Sequence, residues 1–109
     1  MTYSKPEQFT NVTATCKANI YFDGKVVSHT INFADNSRKT IGLIYPGTYK
    51  FDTEAPEVME IITGSCRVKV ADESSWQEYK SGEYFEVPGS SHFTIEVEND
   101  ITEYVCSFK

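Results

Sequence analysis

Gly47-Thr-Tyr-Lys-Phe-Asp-Thr-Glu-Ala-Pro-Glu-Val-Met-Glu-Ile-Ile-Thr-Gly64 and Gly82-Glu-Tyr-Phe-Glu-Val-Pro-Gly-Ser-Ser-His-Phe93 decide the fold of this chain. Each is a strand–turn–strand unit that opens on a glycine, and the first also ends on one. Tyr49, Phe51 and Thr53 share one face by the two-residue period of a strand, and Lys50 and Asp52 share the other. Val58–Thr63 is largely apolar on both faces, as in a central strand. In the second stretch Phe93, Ile95 and Val97 form one face, while His92, Thr94, Glu96 and Glu98 form the other.

The same punctuation continues outward. Ala18–Phe22 and Lys25–Phe33 are strand candidates around the turn signal Asp23-Gly24. Asp35-Asn36-Ser37 turns the chain into Thr40–Tyr45, which Pro46-Gly47 ends. Thr63-Gly64-Ser65 leads into Cys66–Val70, and Tyr84–Val87, Phe93–Val97 and Thr102–Phe108 complete the set. No run of ten residues carries a 3.6-residue period, so very little helix is expected. The reading is all-β: a single small β-barrel of jelly-roll type over residues 18–109, with residues 1–17 as an N-terminal leader or edge strand.

A chain of 109 residues holds one such domain. Its net charge of −6 repels nucleic acid and anionic membrane surfaces, so neither is expected as a partner. No stretch approaches the roughly 18 apolar residues of a membrane span. Met1–Gln8 lacks the apolar core of a signal peptide, and Cys16, Cys66 and Cys106 form no Cys-x-x-Cys pair. Three reduced thiols in a cytoplasmic protein are the expectation.

The two hairpins resemble those of cupin barrels. In metal-binding cupins the first hairpin presents two histidines and a carboxylate after a glycine, and the second presents a histidine after Gly-x5-Pro. Gly82-x5-Pro88 keeps that spacing, but Thr53, Ala55 and Phe93 stand where imidazoles would. His92 misses its slot by one residue and belongs to the opposite face; His29 lies in a polar strand beside Ser28 and Thr30. A metal site is therefore not expected.

The remaining polar candidates are few. Arg38-Lys39 follows a turn and can place a cation at the barrel mouth or in solvent. Glu57 has the parity of Thr53, Met59 and Ile61, and is either a pocket ligand or an ion-paired structural residue; Glu60 falls on the other face, in a structural or surface role. Tyr49, Phe51, Phe85, Phe93, Tyr104 and Phe108 read mainly as core, with some able to wall a pocket for a planar ligand. Ser90 and Ser91 follow Pro88-Gly89 in a bend that is either a plain turn or an anion-binding nest.

A more specific resemblance runs from Ala18 to the C-terminus. It is carried by Tyr21-Phe-Asp-Gly-Lys-Val-Val27, Arg38 before Gly42, Pro46-Gly-Thr-Tyr-Lys-Phe51, Pro56-Glu-Val-Met59, Gly64, Trp76 and Gly82. Phe85-Glu-Val-Pro88, Ser91-His-Phe93 and Tyr104-Val-Cys106 continue it. In this order the chain resembles the small cupin-type pyrimidine/purine nucleoside phosphorylases. The resemblance implies phosphorolysis of purine and pyrimidine nucleosides to free base and (deoxy)ribose 1-phosphate. It further implies a homodimer, with inorganic phosphate as co-substrate and no metal or other cofactor. The chemistry needs a phosphate clamp, a carboxylate for the ribose and a pocket that accepts several bases. Arg38 is the expected clamp, assisted by Ser91, and Glu57 the expected carboxylate. Thr53, Met59, Phe93 and Tyr104 are the expected remainder of the substrate pocket. Two other readings stand beside it: a non-catalytic cupin that binds a small molecule, and a metal-dependent cupin enzyme with atypical ligands.

Overall fold

The structure, a computed structural model, describes residues 6–109. Among the described residues the strands are β1 (Thr13–Ala14), β2 (Asn19–Tyr21), β3 (Val26–Asn32), β4 (Arg38–Ile44), β5 (Gly47–Asp52) and β6 (Glu57–Thr63). They continue as β7 (Ser65–Val70), β8 (Gln77–Lys80), β9 (Tyr84–Val87), β10 (His92–Val97) and β11 (Thr102–Phe108). One sheet runs β1-β3-β4-β11-β6-β9, with β2 also on β3; the other runs β5-β10-β7-β8. The strand pairs are antiparallel, giving the expected cupin-like all-β fold. Only a 3₁₀ turn, Phe22–Gly24, interrupts the strands among the described residues, and no helix there is long and apolar enough to cross a membrane.

Alternation builds the interior. Val26, Ile44, Met59, Ile61, Phe85 and Tyr104 from the larger sheet pack with Tyr49, Val68, Phe93, Ile95 and Val97 from the smaller one. Within residues 1–17, Thr13 and Ala14 pair with Asn32 and Ile31 as a short edge strand; residues 1–5 of the expected leader lie outside the described residues. Glu60 has the anticipated outward parity but is only 8% exposed. It sits in a strand flanked on both sides, opposite Val105 of β11 and Tyr84 of β9, and burial raises its carboxyl pKa.

Two glycines are required by geometry. Gly64 turns β6 into β7 at φ +92°, a region that side chains disfavour. Gly42 faces inward between Ser28 and Tyr104 in the ladder. A Cβ there would lie 2.8 Å from the Ser28 Cβ and closer still to the Val27 carbonyl oxygen. Gly42→Ala should therefore cost about 1–3 kcal/mol by overpacking, measured as a lower midpoint in urea unfolding with an unchanged slope.

Candidate active site

Side chains at alternate positions of four strands turn toward one cavity of about 160 Å³. β6 contributes Glu57 and Met59, and β11 contributes Tyr104, Cys106 and Phe108. β4 adds Thr40 and Ile44, and β3 adds Val26 and Ser28. The smaller sheet closes it with Phe51, Asp52 and Phe93, and Tyr21 stands at the edge, 44% exposed. The walls are mainly apolar, with a carboxylate, hydroxyls and a thiol projecting from them. That composition suits a partly planar ligand carrying hydroxyls.

The larger sheet supplies most of the polar groups. Cys106 lies directly opposite Thr40 on one side and Met59 on the other, and Glu57 lies opposite Phe108. Glu57 and Cys106 are therefore diagonal neighbours on the inward face. The Cys106 thiol donates to Glu57 Oε1 at 3.5 Å. Burial raises the Glu57 carboxyl pKa, while the thiol and the nearby Arg38 charge pull it back. The Cys106 and Tyr104 pKa values are driven upward chiefly by burial, so both remain protonated at neutral pH. Asn19 Nδ2 donates to Ser28 Oγ and Thr30 Oγ1, each at 3.2 Å, tying β2 to the polar wall.

Arg38 begins β4 at the exposed rim. Its guanidinium carbon lies 4.1 Å from the centroid of the Phe108 ring, which itself lines the cavity. Arg38 is exposed to solvent and is not itself one of the cavity walls, but it stands beside one of them. The other described guanidinium, Arg67, pairs with Glu96 and stacks on Trp76 on the outer face of the smaller sheet.

The aromatic wall is layered. Phe51 and Phe93 stack with centroids 5.5 Å apart, and Phe85 meets Phe93 edge-on at 5.6 Å. Phe93 is 3% exposed and faces inward, as strand parity predicts. His92 points away, its Nε2 3.6 Å from Asp72 Oδ1, and His29 Nδ1 lies 3.2 Å from the Thr15 carbonyl oxygen. Among the described residues no three His, Cys, Asp or Glu side chains gather as a metal-binding group.

Of the candidates named from sequence, Glu57, Met59, Phe93 and Tyr104 meet in the cavity, with Arg38 at its rim. Thr53 and Ser91 are placed differently. The Thr53 hydroxyl donates to the Pro88 carbonyl at 2.7 Å and accepts from the Ser91 N–H at 3.0 Å. The Ser90 N–H donates to the Glu54 carbonyl at 3.0 Å. The two amides of the anticipated nest thus close on the loop that follows β5, and neither Thr53 nor Ser91 is among the cavity walls. Sequence reasoning missed the polar cavity residues Tyr21, Ser28, Thr40, Asp52 and Cys106. The signal for Cys106 was present in its shared parity with Tyr104 and Phe108.

Residues 16–108 match the family described as pyrimidine/purine nucleoside phosphorylase. A protein of that name from Thiobacillus denitrificans is 54% identical over 101 residues, spanning 93% of this chain and 97% of its own. One from Burkholderia vietnamiensis is 55% identical over 101 residues, spanning 93% and 94%. A crystal structure of a protein of unknown function from Acinetobacter sp. ADP1 superposes with a TM-score of 0.91 at 44% identity, covering 94% of this chain and 98% of that one. Oxalate decarboxylase from Bacillus subtilis superposes at TM-score 0.73 and 13% identity, covering 96% of this chain and 30% of its own, a likeness of fold alone.

Proposed function

The chain belongs to the pyrimidine/purine nucleoside phosphorylase family, and from that premise we propose that its inner cavity carries out phosphorolysis of purine and pyrimidine nucleosides. The supporting observation is the meeting of Glu57, Tyr104 and an aromatic wall in one cavity with a guanidinium at its rim. At about 160 Å³ the cavity is smaller than the ~300–1,000 Å³ clefts that enclose a drug-sized ligand whole. One ring of the nucleoside sits inside and the other remains near the mouth. Stacking on Phe51 and Phe93, with Met59 beside them, favours any base because every base presents a π-face.

A phosphate oxygen bonds to C1′ as the C1′–N bond breaks. The bonding pair leaves on the base nitrogen, which takes the proton that the attacking hydrogen phosphate gives up, and ribose 1-phosphate remains. The transition state carries positive charge on the sugar, by analogy with glycoside cleavage. Arg38 holds the phosphate, and the Glu57 carboxylate accepts ribose hydroxyls and favours the developing charge. Tyr104 contributes a hydroxyl and ring surface to the substrate wall. Thr53 and Ser91 act through the loop they fasten rather than by direct contact with substrate. In this reading inorganic phosphate is the co-substrate, no metal or organic cofactor is required, and the enzyme works in the cytoplasm.

The deciding assay follows release of base from uridine and adenosine, with and without phosphate, in the presence of chelator. Phosphate-dependent release supports the proposal. Nucleoside binding without turnover would make the chain a binding cupin, and loss of turnover on chelation would favour a metal-dependent enzyme.

We further propose that the chain acts as a homodimer through the outer face of the larger sheet. A second concavity of about 450 Å³ lies there, lined by Val27, Ile41, Leu43 and Ile62 with Phe9 alongside. Ile41, one of its lining residues, is 39% exposed. Ile41→Glu should convert a dimer to monomers in sedimentation velocity; an unchanged dimer would place the interface elsewhere.

A further inference from the structure

We propose that Cys106 is a positioning residue for the reaction, its thiol holding Glu57 Oε1 so that Oε2 is left for the substrate. This rests on the reading of Glu57 as the ribose carboxylate. The geometry arises from sheet register. Thr40, Cys106 and Met59 form one inward row across β4, β11 and β6, and Glu57 lies on the next row. The Cys106 sulfur is thereby brought to 3.5 Å from Glu57 Oε1. Thr40 lies directly across from Cys106 in the ladder, and its hydroxyl offsets a small part of the upward pull of burial on the thiol.

A carboxylate at the end of two methylene groups at a cavity edge has several rotamers, and only some present an oxygen to a sugar hydroxyl. One fixed hydrogen bond selects among them. The thiol is suited to this because it is buried, and burial keeps it protonated and therefore a constant donor. It also stabilises the ionised form of Glu57. The other groups facing Glu57 are consistent with that role. β4 presents the Arg38 cation, β11 presents protonated Tyr104, and β9 presents the apolar Val87 opposite Glu57; Asp52 of β5 lines the same cavity, and on another side Glu57 borders a hollow shared with Glu86 and Lys109, which pair with each other.

The test compares Cys106→Ala, Cys106→Ser and wild type by the pH dependence of kcat/KM. It adds the S–H stretching band of substrate-free protein by infrared spectroscopy, assigned by subtraction of the Cys106→Ser spectrum. Cys106→Ala should lose about five- to tenfold in kcat/KM, mostly in kcat, with its acid limb moved to higher pH. Cys106→Ser, a stronger donor, should recover most activity with the acid limb at or below the wild-type position. In Glu57→Gln the Cys106 band should move to higher frequency as a charged acceptor is replaced by a neutral one. An unmoved band would overturn the hydrogen bond whatever the kinetics. Coincident pH profiles for Cys106→Ala and wild type would overturn the positioning role even if the band moves. Failure of the wild type to cleave nucleosides would count against the proposed reaction instead, and the band would still decide whether the thiol holds the carboxylate.

Discussion

Arg38→Ala loses about 10²–10³-fold in kcat/KM for phosphate while its affinity for nucleoside stays within a few-fold of wild type. The expectation begins with charge. A chain of net charge −6 gains nothing from its overall field in attracting an anion, so a local cation must do so. Among the described residues Arg67 and Lys69 are taken up around Trp76, and Lys39 lies over Phe9 and Phe33. Arg38 is the guanidinium beside the cavity, held over the Phe108 ring and close enough to Glu57 to influence its ionisation. Its planar fork can donate two parallel hydrogen bonds to phosphate, and stacking leaves those donors free at the edge.

Arg38→Lys should recover only a small part of the loss, because an ammonium keeps the charge but not the fork. The stability cost should be modest, since an exposed cation–π contact contributes about 0.5–1 kcal/mol. Initial rates against phosphate at fixed nucleoside, with a melting curve on the same samples, make the check. An unchanged KM for phosphate would remove Arg38 from the clamp.

What was legible in the sequence follows from what is local. Period-two alternation placed Phe93 inward and His92 outward, and it put Glu57 on the face of Met59; the structure agrees at each position. Glycine and proline punctuation located the strands, with Tyr84–Val87 and Thr102–Phe108 bounded as observed. Pairings between distant strands were not legible. That Thr40 meets Cys106 and that Glu57 lies one row away are facts of register among β4, β11 and β6, which no single segment carries. The Pro88–Ser91 bend failed to reveal its partners for the same reason. Its amides look available until Thr53, just after β5 and 38 residues away in sequence, arrives to take one of them. Glu60 shows the complementary limit: parity gave its face, but not that neighbouring strands would bury it.

Glu57→Gln should lower activity and raise thermal stability at the same time. Gln keeps the shape and can still accept from Cys106, but it cannot supply the negative charge proposed to favour the sugar cation. A loss of about 10²–10³ in kcat is expected for removing one such electrostatic group. The stability effect follows from burial, the largest influence on this carboxyl, which raises its folded-state pKa above the unfolded value. Between those two pKa values the folded protein binds more protons than the unfolded chain, so stability falls as pH rises. The stabilising contribution is complete below the unfolded pKa and is lost as pH passes through the folded pKa. At neutral pH the wild type therefore carries the cost of an ionised, half-buried carboxylate, and the Gln variant does not. Its Tm should stand a few degrees above wild type at pH 7, and the gap should close as pH falls below about 4, the ordinary range of a glutamate. Glu60 titrates with the same sign but is present in both proteins, so it cancels in the difference. Melting curves of both proteins from pH 3 to 8 and single-turnover rates at pH 7 provide the measurement. A variant that is both inactive and less stable at neutral pH would mark Glu57 as a structural support. One that is more stable yet nearly inactive would show a carboxylate retained at a cost to folding because the reaction uses its charge.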